Sequence, residues 1–375
     1  MADLKPIAQE AKAWLFDAAA PLWATSGVSA NALFEEQIGI DGKPVIKIRR
    51  MKVQARQIYS FCEIGQLGWN GPWREIVERA LDRLLKTARR SDGFFVHELA
   101  LDGSVSDDRA DLMDHAFVLF ALAYAARALK RPRLLQLAHE LMDLIEARWS
   151  NPCGGYDEGE AVSALPRRQN PHMHMFEAML ALYDTNGEQR WHDAAEAIAR
   201  LCASHFIDPQ SRTLCEYFTA TWQPAGADGL IVEPGHCYEW AWLMQRDPAN
   251  TTRVGLAEGL MSFAGAHGID RKRNVAIYEV MTDGSPKDIS ARLWAQTERL
   301  KASLARWRRT RNPADAQEAA AAYRGLAQYL AMPVPGTWRD RMLADGSFVQ
   351  EPAPASSLYH IVCALSELIV TAAKS

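Results

Sequence analysis

DLMDHAFVLFALAYAARA, residues 111–128, is apolar almost all the way round a helix. Such a helix must be buried on every side. PHMHMFEAMLALY (171–183) and SLYHIVCALSELIVTAA (357–373) read the same way. We expect these to be inner helices, with others at about 50–66, 236–246 and 289–307. Between them, 73–90, 132–149, 189–205, 251–267 and 313–331 are more amphipathic and read as outer helices. In WREIVERALDRLLKTARR, Ile76, Ala80, Leu84 and Leu85 fall on one side and the charges on the other. One more helix near 6–20 brings the count to twelve.

A repeat runs through this pattern. Arg56, His115, His174, His236, Trp294 and His360 follow one another at intervals of 59, 59, 62, 58 and 66 residues. About 60 residues is enough for one helical hairpin with its loops. Asp111, Asn170, Ser290 and Ser356 each stand four residues before one of these sites, and Pro234-Gly235 stands directly before His236. Asp, Asn and Ser cap helix N-termini, and Pro suits the first turn. The sites therefore fall about one turn inside their helices.

The links are unequal. Inner-to-outer links are short, such as Lys130-Arg131 or Asp247 to Asn250. Outer-to-inner links run to about twenty residues, and long loops tend to be functional. FFVHELALDGSV (94–105) alternates around Asp102-Gly103, and LCEYFTATW (214–222) reads as extended. Both long loops and recurrent sites fall where the inner helices begin. We expect an all-α (α/α)6 barrel of six inner and six outer helices, one domain over 1–375, with short β-hairpin-like loops at the site face. An open solenoid is the alternative. It would not need inner helices this apolar.

Composition narrows the function. The net charge is −4 with no dense basic run, which lacks the footprint of a nucleic-acid binder. We read no apolar stretch of 18 or more residues, and so no membrane span. Residues 1–10 carry no secretion signal pattern. The six cysteines form no C-x-x-C pair, which argues against structural zinc and disulfides and fits a reducing cytoplasm.

The candidate site residues follow from the repeat. His236 in EPGHCYEWAW has Glu239 three positions on, and a carboxylate beside an imidazole raises its basicity. A core pair satisfying itself is the plainer alternative. His172 and His174 are two apart, so they point to different sides, and His174 matches the repeat. His360 and His115 also match it, although a lone His on an apolar helix is more often a core residue. Asp111 and Asp114 could simply pair with His115. Arg56 in an inner helix needs a carboxylate, a ligand or water. Trp294 with Glu298 offers an aromatic platform for a sugar ring. No metal-ligand spacing, phosphate loop, dinucleotide fingerprint or nucleophile elbow is present. Glycoside hydrolysis needs two opposed carboxylates. The repeat positions offer His instead.

The segments VQARQIYSF (53–61), DHAFVLFALA (114–123), NPHMHMFEAMLALY (170–183), EPGHCYEWAWL (233–243), LWAQTERLKA (293–302) and SSLYHIV (356–362) resemble the N-acylglucosamine 2-epimerase superfamily. It also holds mannose isomerases, cellobiose 2-epimerases and mannose-6-phosphate isomerase-like proteins. The resemblance implies an (α/α)6 barrel and a sugar isomerase or 2-epimerase working at C1–C2 through a cis-enediol. It implies His236 and His360 as the acid/base pair, with His174 beside them. It further implies Arg56, Asn170, Glu239 and Trp294 as sugar contacts; His115 is added from the repeat. No cofactor or metal is expected. The expected partner is a small sugar, neither nucleic acid nor membrane, with a homodimer left open. We favour an unphosphorylated mannose-type hexose. Arg167 and Arg168, just before Asn170, offer the alternative of a phosphate grip. A non-catalytic sugar-binding barrel is the other alternative.

Overall fold

The computed structural model describes residues 4–160, 166–208, 210–247 and 249–374. Pro248, inside one of the short links, lies outside them. The inner helices are α3 (Met51–Gln66), α5 (Leu112–Leu129), α7 (Asn170–Asn186), α9 (Pro234–Met244), α11 (Leu293–Thr310) and α13 (Ser356–Ala373). The outer ones are α4 (Trp73–Thr87), α6 (Arg133–Trp149), α8 (Gln189–Leu201), α10 (Thr251–His267) and α12 (Pro313–Leu330). The sixth outer element is continuous: α1 (Lys5–Ala13) passes through a π-helical turn (Trp14–Ala19) into α2 (Ala20–Thr25).

Each inner helix packs on the next, and α13 packs back on α3, so the ring closes. Each outer helix covers the inner helix it pairs with, α1 covering α13. The fold is an (α/α)6 barrel, not an open solenoid. α5 shows why. All its residues are buried except Met113, Tyr124 and Arg127. α4 buries only Ile76, Val77, Ala80, Leu81 and Leu84, the stripe expected of an outer helix.

α5 and α13 each have 18 residues and a mean hydropathy of 1.4, the length and composition of a membrane span. That corrects the expectation of no such stretch. The windows are 89% and 72% buried inside the barrel, so their apolarity belongs to the core. Along the axis Tyr59 packs on Phe120 (4.7 Å), Tyr124 (4.5 Å) and Tyr359 (5.5 Å). These rings pack α3, α5 and α13 against one another.

The long loops are stitched to one another. Arg49–Arg50 pairs with Glu98–Leu99, Asp111 with Gly159, and Arg167–Arg168 with Tyr217–Phe218. Ile231–Val232 pairs with Val280 and Met281, Ala291–Arg292 with Arg341–Met342, and Ala353–Pro354 with Gln37–Ile38. The segment entering each inner helix is thus hydrogen-bonded to the next loop all round the rim. The last pair joins the sixth loop to the first. Residues at these helix entrances are held by sheet bonds on one side and by helix on the other.

The caps differ from expectation. Asp111 does cap α5, accepting from the N–H groups of Met113 and Asp114. Asn170 and Ser356 instead lie inside their helices as first residues, and Ser290 lies before the Arg292 cap of α11. Asn170 therefore has its amide free for another use.

Candidate active site

A cavity of about 310 Å³ opens at the loop end of the axis. Its walls carry Arg56, Asn170, His174, His236, Glu239, Trp294 and His360, seven of the eight sequence-expected positions. His115 is the exception. It is wholly buried: Nε2 accepts from the N–H of Phe95, and Nδ1 lies 2.6 Å from the Asp111 carbonyl. Phe94, Phe95 and Trp149 pack around it. Both ring nitrogens are used on the backbone, so His115 fastens the second loop to α5. His172 does the same for the third loop, accepting from the N–H of Tyr156.

Trp294 stands between the two histidines of interest. Its ring is 4.8 Å from His236 and 6.0 Å from His360, tilted by 36° and 39°. Gly235 makes room for it. A Cβ there would sit 2.5 Å from the indole, closer than atoms tolerate.

His236 is backed by carboxylates. Nδ1 lies 2.9 Å from Oε2 of Glu216 and 3.7 Å from Glu233. Burial works against charge on this ring, but Glu216 and Glu233 outweigh it and lift its pKa to about 10. His236 is then an imidazolium at neutral pH, with N–H groups on both nitrogens. Its Nε2 faces the Asn170 amide at 2.9 Å. With Oδ1 turned toward Nε2, Asn170 accepts from the charged ring, and its otherwise unpaired buried oxygen is satisfied. The partner expected from sequence was Glu239, yet the nearest carboxylate is Glu216, from the 214–222 loop. Burial pushes Glu233 up to about 7, with Glu216 adding to the effect and His236 opposing it.

His360 is the opposite case. Nδ1 lies 2.8 Å from Oε1 of Glu298, whose Oε2 is 2.6 Å from the Lys301 ammonium. Burial, Arg56 and Lys301 together hold the ring well below the ordinary histidine range. His360 is neutral, donates Nδ1–H to Glu298 and leaves the lone pair of Nε2 for the cavity.

His174 Nδ1 is 3.2 Å from Glu177, and burial brings its pKa down to about 4 against that carboxylate's pull. Glu177 also accepts from the Tyr359 hydroxyl. Glu239 is buried, with Oε1 unpaired; burial and Glu298 push its pKa well up. It reads as a protonated acid that can donate to a sugar hydroxyl. The Arg56 guanidinium lies 4.0 Å over Phe117 and 5.0 Å over Tyr359. Its one hydrogen bond among those described is to the Ser356 carbonyl, at 3.4 Å. No carboxylate pairs with it among the described residues, so its charge is available to a ligand.

Lys52, Arg168 and Arg292 also line the cavity. Arg168 is paired to Glu158 and Arg292 to Asp340. Lys52 has no ion-pair partner among the described residues. Arg167 is not among the cavity-lining residues. It is buried, bonded to the Tyr156 carbonyl and Asp157 and stacked 4.2 Å over Trp222.

Three sets bring His and Glu donor atoms within 4.8 Å: His174/Glu177/Glu239, Glu216/Glu233/His236 and Glu239/Glu298/His360. In each, an imidazole nitrogen already meets a carboxylate of the set. Lys301 supplies a cation at Glu298.

The sequence model described as N-acylglucosamine 2-epimerase (GlcNAc 2-epimerase) matches residues 33–364. A mannose-6-phosphate isomerase of Rhizobium meliloti (strain 1021) is 40% identical over 98% of this chain and 97% of its own. A D-mannose isomerase of Thermobifida fusca is 30% identical over 58% of each chain. The crystal structure of a D-mannose isomerase superposes with a TM-score of 0.88 at 19% identity, covering 98% of both chains. Cellobiose 2-epimerase from Bacillus thermoamylovorans B4167 gives 0.88 at 18% identity, over 98% of this chain and 99% of its own. These last two show the barrel. The chain belongs to the N-acylglucosamine 2-epimerase family and is an enzyme of the sugar isomerase and epimerase class.

Proposed function

We propose that the chain is an aldose–ketose isomerase of mannose-type hexoses, moving a proton between C2 and C1 through a cis-enediol. The observation that carries this reading is the pair of imidazoles flanking Trp294 with different groups behind them, Glu216 and Glu233 at His236 and Glu298 with Lys301 at His360. On the open-chain aldose, His360 Nε2 takes the C2 proton while the His236 imidazolium protonates O1. This gives a neutral enediol. The O2 proton then passes to His236, now neutral, and His360 returns its proton to C1. The C2 carbonyl forms and both rings regain their starting states. Arg56 lines the same cavity, and a preorganised cation would favour a transition state in which negative charge develops on the enediol oxygens. Asn170, Glu239 and His174 position the hydroxyls. Proton return to C2 from the other face would give the 2-epimer. The curated relatives named isomerases favour the ketose as product.

Mannose in deuterium oxide tests the reading. An isomerase incorporates deuterium from solvent and releases fructose. A non-catalytic sugar-binding barrel would raise its melting temperature with mannose and exchange nothing.

A second reading, mannose 6-phosphate as substrate, is favoured by Lys52, which has no ion-pair partner among the described residues and lines the cavity with Arg168 and Arg292, and by the name of the relative at 40% identity. The ratio of kcat/KM for mannose 6-phosphate to that for mannose, in wild type and in Lys52→Ala/Arg168→Ala, separates the two. A strong preference for the phosphate that collapses in the variant makes the phosphorylated sugar the substrate. An unchanged ratio near unity leaves the free hexose.

A further inference from the structure

Lys301 is wholly buried, one helical turn beyond Glu298 on α11. Its ammonium sits 2.6 Å from Glu298 Oε2 and 3.8 Å from the Trp242 ring centroid. A buried ammonium is expensive even when paired, and an apolar side chain would fill this space at lower cost. The contacts therefore invite a reason beyond packing. Glu298 is the carboxylate behind His360. Its counterpart behind His236 is Glu216, which apart from His236 itself receives only neutral donors among the described residues: the Gln169 amide at 2.8 Å and the Glu233 N–H at 3.4 Å. Two imidazoles have two matching carboxylates, and one of those carboxylates has a lysine. Lys301 breaks the symmetry, together with Arg56 near His360 and Glu233 near His236.

We infer that Lys301 is a positioning residue that balances the charge of Glu298, so that His360 meets the sugar as a neutral base rather than as an imidazolium. This rests on the proton-transfer reading of His360. The charged and titratable groups facing His360 come from four helices. α11 gives Glu298 and Lys301, α3 gives Arg56, α7 gives His174 and Glu177, and α9 gives Glu239. On α13 itself stand Tyr359 and Cys363, and Trp294 lies between His360 and His236. Lys301 and Arg56 oppose a positive His360, while Glu177 and Glu298 favour one. Removing the lysine charge leaves Arg56 alone against those carboxylates, which tips His360 toward its protonated form.

The test uses Lys301→Met, with Lys301→Gln as a second, gentler variant that keeps a donor toward Glu298. Two quantities are read: the pH profile of kcat/KM, and the charge of the His360 ring by imidazole nitrogen NMR in the free protein. In wild type the ring should be neutral at pH 7. In either variant its titration and the acidic limb of kcat/KM should move up together by about one pH unit or more, the size of shift one nearby charge produces. The double variant Glu298→Gln/Lys301→Met should bring both back down. A wild-type His360 that is charged at pH 7 overturns the inference. So does a variant that melts lower with both titrations unmoved, since a packing role alone predicts that result. Should His360→Ala keep its turnover, the proton-transfer reading fails. The NMR titration would still report whether Lys301 sets the charge of the ring.

Discussion

Glu216 Oε2 lies 2.9 Å from Nδ1 of His236, bringing a carboxylate from a loop hairpin to the first turn of an inner helix. The same device recurs around the rim. Glu36, His97, Glu216 and Asp340 each stand directly before the first strand residue of a loop hairpin. Glu36 holds Arg50, His97 holds Asp114, and Asp340 holds Arg292 and Ser357. Glu216 is the member of this set that meets a cavity histidine.

Glu216→Gln should therefore change His236 and little else. Its basic limb in kcat/KM should move from near pH 10 toward the ordinary histidine range, because the acid is lost once the ring deprotonates. Stability follows the same sign. The folded pKa is raised above the unfolded one, about 6.5, so the contribution is complete below that pH and is lost as pH rises through about 10. The melting-temperature gap between wild type and variant should be widest near pH 6 and close toward pH 10. A gap that widens with pH would show that Glu216 acts some other way.

His236→Ala and His360→Ala should each lose about 10²–10⁴-fold in turnover, the usual contribution of an acid/base group. Both should keep wild-type circular dichroism, since neither ring bonds a loop backbone group among the described residues. Near-wild-type turnover from either variant on the best sugar would remove it from the mechanism.

The barrel was legible because its cause is simple: helices apolar on every side, such as 111–128, can only sit inside a ring. The repeat interval located the cavity, because helix entrances all face one end. It could not tell a cavity residue from one that staples a loop. The interval put His115 in register with His174, but its structural counterpart is His172, since each accepts an N–H from the loop before its helix while His174 lines the cavity. The repeat was therefore read two residues out of register there. Glu216 was missed for a related reason. The 214–222 segment read correctly as extended, but the helix face through His236 pointed to Glu239 instead. The hairpin position shared with Glu36, His97 and Asp340 was the available signal.

His115→Ala tests that distinction. The Phe95 N–H would lose its acceptor in a dry site, costing about 1–3 kcal/mol before any cavity cost. The melting temperature should fall, while kcat and KM per folded molecule stay near wild type. A large rise in KM with unchanged stability would return His115 to the sugar site.

Gly235→Ala should show the reverse pattern. The new methyl would lie 2.5 Å from the Trp294 ring and 3.0 Å from the Ala295 side chain. Something must move, and Trp294 is free to move toward the cavity because it is only half-buried. That ring lies 4.8 Å from His236 and 6.0 Å from His360, so its displacement would disturb both. A misplacement of about 1 Å at reacting groups can cost 10²-fold in rate. Gly235 lies in the first turn of α9, where alanine is a good helix former, so the backbone itself should tolerate the change. The expected result is a fall of about 10²-fold in kcat with a melting temperature close to wild type. Measuring both on Gly235→Ala and His115→Ala in one series gives a crossed comparison. If Gly235→Ala lost stability and kept its kcat, Trp294 would be a packing residue and its contacts with the two histidines would have no part in catalysis.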